Sequence, residues 1–499
     1  MKTASHEQPV VLMSNVRAPR VSPIVVLGLL FLISLPAVTL RLYASDEIEY
    51  FAYLRSMWFD RDLSFDNDYR YFYDRGIPRG SRPGEDGEGS NGGDFHKTFL
   101  DTTTETGLRI NFAPVGTAIL WAPFYAVADI GVRVARAMGS DVAADGFSRP
   151  YLAAVAYASA VYGFLALLLA ATAIRRLLGS ADWSLVAVWL GTPLVFYMYV
   201  APGFSHAASA FAVAAFVVTW LRIRETWSWR GIALLGALAG LMAMVREQDA
   251  FIAVGPALDY VVYAFQSARR GTRRLAMSVA GAAIGVATAA ACFIPQLLTY
   301  RTLYGRFGPS PLVSGKMDWT APHLWDVLAS LEYGFFFWTP LALPALAGLV
   351  VLAAGLVPED RHPGRPRQQL VWIGLLCLLM VFSQIYVSGS VSSWTGSTFG
   401  QRRLVGLTVF LAIGLASLFR LLGPRWARSA VVGLVVLCTW WNLGLVAQFG
   451  TNLMNRQRLE LAVNTYHNFV TIPRMAPELA YRYFFNRESF YRASRPAAP

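Results

Sequence analysis

The feature that most constrains this chain is a series of long apolar runs that recurs from near the amino terminus to near the carboxyl terminus. A helix needs about 20 apolar residues to cross the hydrocarbon core of a bilayer. Runs that reach or approach this length lie near 22–42, 150–174, 183–200, 204–221, 231–246, 249–265, 276–298, 332–356, 370–389, 404–422 and 429–448. We therefore predict an all-α polytopic membrane protein with about eleven transmembrane helices.

The composition supports this class, because 55% of the residues are hydrophobic and only 15% are charged. These proportions lie outside the usual range of soluble globular proteins. The net charge of +12 does not imply a nucleic-acid partner, since the arginines gather in short loops between apolar runs, where they face anionic membrane lipid. The cysteines Cys292, Cys377 and Cys438 lie inside apolar runs, with neither a disulfide framework nor a metal-binding spacing.

The basic loops predict the topology. Basic residues concentrate in alternate loops: Lys2, Arg17 and Arg20; Arg175 and Arg176; Arg222, Arg224 and Arg230; Arg269, Arg270, Arg273 and Arg274; Arg361, Arg365 and Arg367; Arg420, Arg425 and Arg428. All of them are cytoplasmic if segment 113–137 does not cross the membrane. That segment contains Pro114, Pro123, Asp129 and Arg133, so we predict a re-entrant or interfacial helix there.

On this topology, residues 1–21 form a cytoplasmic tail and residues 22–448 form a transmembrane domain with a large outer loop over 43–149. Residues 449–499 form a tail on the outer face. Within the large loop, segment 79–97 is rich in glycine, serine and acidic residues, which is typical of a flexible lid or a linker.

Asp46 and Glu47 follow the first apolar run directly and are therefore predicted at the outer membrane edge. A carboxylate at such an edge loses hydration unless a cation, a metal or a hydrogen-bond network compensates it. It is also well placed to remove a proton from an acceptor hydroxyl while a lipid-borne donor is held at the same level. The alternative is that these acids only form a solvated flank of the span.

Other polar groups are predicted at the outer ends of spans. Arg246 opens the charged segment Arg246–Asp249, and an arginine on this side needs an anionic partner, either a neighbouring acid or a phosphate. Arg402 and Arg403 end a stretch of small residues and offer forked donors that suit phosphate. His206 lies in a short turn, where a single histidine is either structural or a contact to substrate or metal.

Several segments together carry a resemblance: Asp46–Glu47, Asn111–Pro123, Arg246–Gln248, Pro295–Gln296 with Tyr304–Gly305, Gly334 with Thr339–Pro340, and Trp394–Arg403. In order and placement they resemble the GT-C superfamily of integral-membrane glycosyltransferases. The resemblance is in particular to the bacterial members related to protein O-mannosyltransferases and lipid A aminoarabinose transferases. The segments are short and degenerate, but they run through most of the chain.

The resemblance implies a GT-C-like fold in which Asp46 is the catalytic base and Glu47 assists it. It implies that Arg246 and either Arg402 or Arg403 hold the donor phosphate. The reaction would move a sugar, with inversion, from a polyprenyl-phosphate donor to a hydroxyl of a glycan, lipid or protein acceptor. The site would face outward from a bacterial inner or plasma membrane.

Substrate contacts are expected from His206, Gln248 and Trp394. Related enzymes often carry a second acid after the fourth or fifth span that helps to bind a divalent metal, whereas Ser205 and His206 stand there in this chain. No cofactor is therefore certain, and a divalent metal is left open. The alternative function is a flippase or transporter of lipid-linked sugar precursors, in which charged residues are expected within spans near the midplane. A scaffolding membrane protein would not need arginines and acids on one face.

Overall fold

The computed structural model describes residues 22–76, 95–359, 365–423 and 425–486. Over these ranges the chain is helical, and extended pairing is limited to two isolated bridges, Thr103 with Arg109 and Met317 with Val391. The predicted all-α class is confirmed. The predicted tail 1–21, nearly all of the insertion 79–97 and the last residues of the 449–499 tail lie outside the described ranges.

The first half of the described chain contains α1 (Pro23–Ser34), α2 (Ser45–Arg55), α3 (Asp66–Asp74), α4 (Gly116–Ala137), α5 (Arg149–Leu178), α6 (Ser184–Gly191), α7 (Leu194–Tyr199), α8 (His206–Ile223) and α9 (Trp229–Val245). The second half contains α10 (Val254–Ala268), α11 (Thr272–Tyr304), α12 (Pro311–Ser314), α13 (Leu324–Ala329), α14 (Phe335–Trp338), α15 (Ala342–Ala353), α16 (Arg367–Gly389), α17 (Thr408–Leu421), α18 (Arg425–Thr451), α19 (Leu461–Tyr466) and α20 (Ile472–Phe485). Short 3₁₀ segments precede α10 (Glu247–Ala253) and α17 (Arg402–Leu407).

Seven helical stretches of the described chain are long and apolar enough to cross a membrane: Gly116–Ala137, Arg149–Leu178, His206–Ile223, Thr272–Tyr304, Arg367–Gly389, Arg402–Leu421 and Arg425–Thr451. Six of them coincide with predicted spans. The seventh is α4, which was predicted to be re-entrant or interfacial. These helices give the chain the character of a membrane protein.

The other five predicted spans are short or interrupted helices, and proline explains two of the breaks. Thr192 is extended ahead of Pro193, so the run 183–200 divides into α6 and α7. Thr339 leaves the helical region ahead of Pro340, so the run 332–356 divides into α14 and α15. A residue before proline is disfavoured from helical conformation.

Glycines set the closest helix crossings. A Cβ placed on Gly414 of α17 would lie 2.0 Å from the Ala345 carbonyl oxygen of α15, so only glycine permits this contact. Likewise, a Cβ placed on Gly236 of α9 would lie 2.2 Å from the Gly285 carbonyl oxygen of α11. In a bilayer the hydrophobic effect does not drive helices together. Small residues that allow close backbone contact therefore stabilise helix pairs.

Helix α4 packs antiparallel to α5, and the contact extends along only part of α5. The Trp121 indole nitrogen donates to the Ser159 hydroxyl (3.0 Å), while the Tyr151 hydroxyl donates to Asp129 (2.7 Å). The first turns of α4 therefore lie beside the middle of α5, and its later turns lie beside the start of α5 at Arg149.

A buried amide network joins the carboxyl-terminal helices to α18. The Gln448 side chain donates to the Asn464 carbonyl (3.1 Å) and accepts from the Asn464 side chain (2.9 Å). At the far end of α20, the Tyr483 hydroxyl donates to the Ala37 carbonyl. The described part of the tail is thus attached to the helical domain at both ends.

Candidate functional site

Asp46 and Arg402 form an ion pair across the fold. Asp46 lies in the first turn of α2, and its Oδ2 accepts a hydrogen bond from Arg402 Nη1 at 2.7 Å. The Arg402 side chain is 15% exposed and the Asp46 side chain 39% exposed, so the carboxylate remains accessible on one side. Two motifs that are 356 residues apart therefore meet at one point.

Arg246 extends this pair into a cluster. One of its terminal nitrogens contacts Nδ1 of His206, and the other donates to Gln248 Oε1 at 3.1 Å. The Gln248 side chain then donates to the Arg403 backbone carbonyl at 2.7 Å. The predicted phosphate-binding arginines and two of the predicted substrate contacts thus belong to one connected group.

The charge of Asp46 is set by the surrounding arginines. Burial by itself would raise the pKa of Asp46, but Arg402, Arg403 and Arg246 outweigh it and hold the pKa below its usual value. Asp46 is therefore an ionised proton acceptor at neutral pH. Three guanidinium groups therefore act electrostatically on Asp46.

Glu47 accepts hydrogen bonds from backbone amides. Its Oε2 accepts from the Tyr43 and Ala44 N–H groups (2.7 and 3.1 Å), and its Oε1 accepts from the Gly203 N–H (3.1 Å). A Cβ on Gly203 would lie 2.8 Å from Glu47 Oε1, so the turn before α8 packs directly on this carboxylate. Glu47 therefore joins the start of α2 to the turn that carries His206, and its predicted assisting role in catalysis stays a prediction.

We expect Glu47→Gln to destabilise the protein by about 1–3 kcal/mol, because the amide NH₂ would face a backbone N–H that now has an acceptor. Burial raises the pKa of Glu47 to about 7, so the comparison is made at pH 8, where the carboxylate is ionised. Thermal unfolding in detergent is the measurement. Glu478→Gln, which removes an exposed pair with Arg482, is the control and should leave the transition unchanged.

Two further residues of α2 face the cluster and were not selected from the sequence. Glu49 accepts from the Phe112 N–H at 2.6 Å, and both burial and the nearby Asp46 charge raise the pKa of Glu49 well above its usual value. The Tyr50 hydroxyl accepts from the Ser205 hydroxyl at 2.9 Å. Spacings of three and four residues from Asp46 on a helix were the signal that could have identified them.

Aromatic rings form one wall of the cluster. The Tyr197 and His206 rings lie with centroids 4.2 Å apart, and the Phe204 ring stacks on His206 at 5.5 Å. The Arg402 guanidinium lies over the Phe204 ring at 5.2 Å. A desolvated ring face of this kind stabilises an arginine and fixes its plane.

The loop before Arg402 depends on a glycine at Gly396, where the backbone φ is +68°. A Cβ there would lie 3.2 Å from Arg402 Nε, so Gly396 gives the arginine its space. Trp394, a predicted substrate contact, stacks with His323 (centroids 6.1 Å apart), in the loop that leads to the cluster. Among the described residues, no acceptor contacts the buried Nε of Arg403.

A metal site does not emerge from the described ranges, which contain no group of three or more His, Cys, Asp or Glu side chains arranged to hold an ion. Of the predicted site residues, Asp46, Arg246, Gln248, His206, Arg402 and Arg403 come together. The cluster can accept a proton at Asp46 and bind an anion at the arginines.

No protein-family model, curated protein or solved structure matches the chain.

Proposed function

We propose that this protein is a membrane glycosyltransferase of the GT-C type, which moves a sugar from a polyprenyl-phosphate donor to an acceptor hydroxyl. The observation that supports this most directly is the Asp46–Arg402 pair within a cluster of three arginines. Transfer from a glycosyl phosphate needs a base for the acceptor and cations for the departing phosphate.

In the proposed reaction, Asp46 takes the proton of the acceptor hydroxyl as its oxygen attacks the anomeric carbon. The bond between that carbon and the phosphate oxygen breaks, and the electron pair leaves with the polyprenyl phosphate. Arg402, Arg403 and Arg246 stabilise the charge that grows on the phosphate. Attack opposite the leaving group inverts the anomeric centre.

Depth in the membrane favours a lipid-borne donor. At 1.5 Å per residue, His206 lies about 24 Å from Arg222 along α8, and Arg246 lies the same distance of about 24 Å from Arg230 along α9. Arg402 and Arg420 likewise lie at the two ends of a third helical stretch of the site, Arg402–Leu421. If the basic residues mark the inner surface, the cluster lies just below the outer edge of a core about 30 Å thick.

The same topology treats α4 as a re-entrant or interfacial helix. The Tyr162 hydroxyl donates to the Leu120 carbonyl, and Tyr162 lies about 20 Å above Arg175 along α5. Helix α4 begins at Gly116, only one helical turn deeper than Leu120. Its inner end therefore lies well short of the inner end of α5. A crossing helix would reach that end.

Cysteine labelling tests this topology in a variant with Cys292, Cys377 and Cys438 replaced by alanine. We expect Ser140→Cys, in the turn after α4, to react with an impermeant reagent in intact cells. Thr226→Cys, in a basic loop, should react only after permeabilisation. Protection of Ser140→Cys in intact cells would show that α4 crosses.

The activity is tested with purified protein in vesicles that contain a polyprenyl-phosphate sugar and a panel of hydroxyl acceptors. A transferase releases free polyprenyl phosphate in step with formation of the glycosylated product. A transporter moves the donor between leaflets without breaking its glycosyl–phosphate bond. Movement of intact donor without release would replace the proposal with the transport alternative.

A further inference from the structure

The seam between α16 and the consecutive segments Glu247–Ala253 and α10 leads directly to the arginine cluster. At its outer end, the Gln384 side chain donates to the Gln248 carbonyl at 3.0 Å. Further along, the Ser383 hydroxyl donates to the Phe251 carbonyl at 3.2 Å. At the inner end, the Trp372 indole donates to Asp259 at 2.8 Å. Helix α16 therefore runs antiparallel to Glu247–Ala253 and α10, and the seam leads away from the cluster.

Exposed apolar side chains follow both helices of the seam. Leu258 and Phe265 of α10 are exposed seven residues apart, and Leu375 and Phe382 of α16 are exposed with the same spacing. A spacing of seven residues places side chains on one face of a helix. Each helix thus presents an exposed apolar face, which suits contact with hydrocarbon in a membrane.

The outer end of the seam combines the polar cluster with aromatic rings. Gln248 contacts both Arg246 and the Arg403 carbonyl, and the exposed ring of Phe251 follows only three residues later. Trp319 packs against Phe251 with ring centroids 5.6 Å apart, and the Tyr386 hydroxyl donates to the Trp319 carbonyl at 2.5 Å. Such rings are typical of the membrane–water interface.

We infer that this seam holds the polyprenyl chain of the donor, with the donor phosphate at Arg403 and Arg246. The inference rests on the proposed function. A lipid-linked sugar must keep its chain in hydrocarbon while its phosphate reaches the arginines. The seam is apolar within one helical turn of Gln248, and the buried Nε of Arg403 offers a hydrogen bond that no described residue accepts. Trp319 packs on Phe251 at the end of the seam where phosphate and chain would join.

The competing location is an apolar cleft of about 710 Å³ between α4 and α5, lined by Phe124, Val127 and Tyr157 among others. Its lining begins at Pro123, two turns beyond the Gly116 contact that joins α4 to Met244. The cleft is therefore farther along α4 than the end that lies beside the cluster. The cleft is therefore used as a comparison position in the following experiment.

Photocrosslinking distinguishes the two locations. A photoreactive amino acid is placed at Phe382 or Leu258 in the seam, at Val127 in the cleft, and at Val436 on the lipid face of α18. Val436 is 60% exposed and Phe382 is 54% exposed, so the two positions are matched in access to lipid. The purified full chain in vesicles is illuminated with radiolabelled polyprenyl phosphate, with and without excess unlabelled lipid.

We expect crosslinking at Phe382 and Leu258 to exceed that at Val436 severalfold. Unlabelled polyprenyl phosphate should compete, whereas polyprenol without phosphate should not, because the arginines recognise the phosphate. Equal yields at every position, or competed crosslinking at Val127 alone, would overturn the seam assignment.

Saturable binding of polyprenyl phosphate to the native chain is measured in the same vesicles. Saturable binding without crosslinks in the seam would refute the seam and leave the proposed function standing. The absence of saturable binding would refute both.

Discussion

Asp46→Asn is expected to lower sugar transfer by about a hundredfold to ten-thousandfold, which is the usual loss when a general base is removed. The carboxamide keeps the shape of the side chain but cannot accept the hydroxyl proton. Donor binding should be retained or become tighter, because the carboxylate that competes with phosphate for Arg402 is gone. Turnover should therefore fall while donor affinity, measured on the same preparation, is unchanged or rises.

A loss of turnover without a loss of donor binding distinguishes a catalytic base from an acid that only stabilises the fold. A variant that only unfolds loses donor binding and activity together, and thermal unfolding in detergent detects this case. Asp66→Asn is the matched control, since Asp66 also pairs with arginines, Arg70 and Arg109, in the same outer loop. The control should transfer sugar at the native rate. Near-native turnover of Asp46→Asn would remove Asp46 as the base and redirect attention to Glu49.

The sequence predicted the helical class and most long helices because apolar length and basic loops are local signals. It overestimated the regularity of the span near 183–200. The proline at Pro193 was visible, but whether proline bends or divides a helix depends on the neighbouring helices. For α4, the apolar length alone would fit a membrane-crossing helix. Its packing on α5 shows where the helix begins.

For the site, the sequence could identify residue types but not their pairing. Asp46 and Arg402 were predicted separately, as an acid and a cation at the outer ends of membrane spans. Their ion pair depends on the whole fold. The backbone partners of Glu47 could not be predicted, because the Gly203 amide reaches it from a distant turn. Glu49 and Tyr50 could have been predicted, because spacings of three and four residues place them on the same face of α2 as Asp46.

Arg403→Lys is expected to lower both donor affinity and turnover, although the charge is kept. Arginine offers a planar fork to phosphate, whereas lysine offers a point contact. Losing one charge-assisted hydrogen bond costs about 1.5–3 kcal/mol, or roughly a tenfold to hundredfold change. Because charge grows on the phosphate as the glycosidic bond breaks, turnover should fall along with affinity.

Arg402→Lys should be tolerated better, because Arg402 meets Asp46 through a single contact from Nη1 that an ammonium group can replace. Arg402→Gln removes the charge, so the pKa of Asp46 should rise and the acidic limb of the pH–rate profile should move to higher pH. Arg425→Lys, at the exposed start of α18 in a predicted cytoplasmic basic loop, is the control for a charge that only has to lie at headgroup depth. Native turnover and affinity in Arg403→Lys would exclude Arg403 from the donor site. A native acidic limb in Arg402→Gln would mean that Asp46 does not set the pH dependence of transfer, since its strongest electrostatic partner would then be absent without effect.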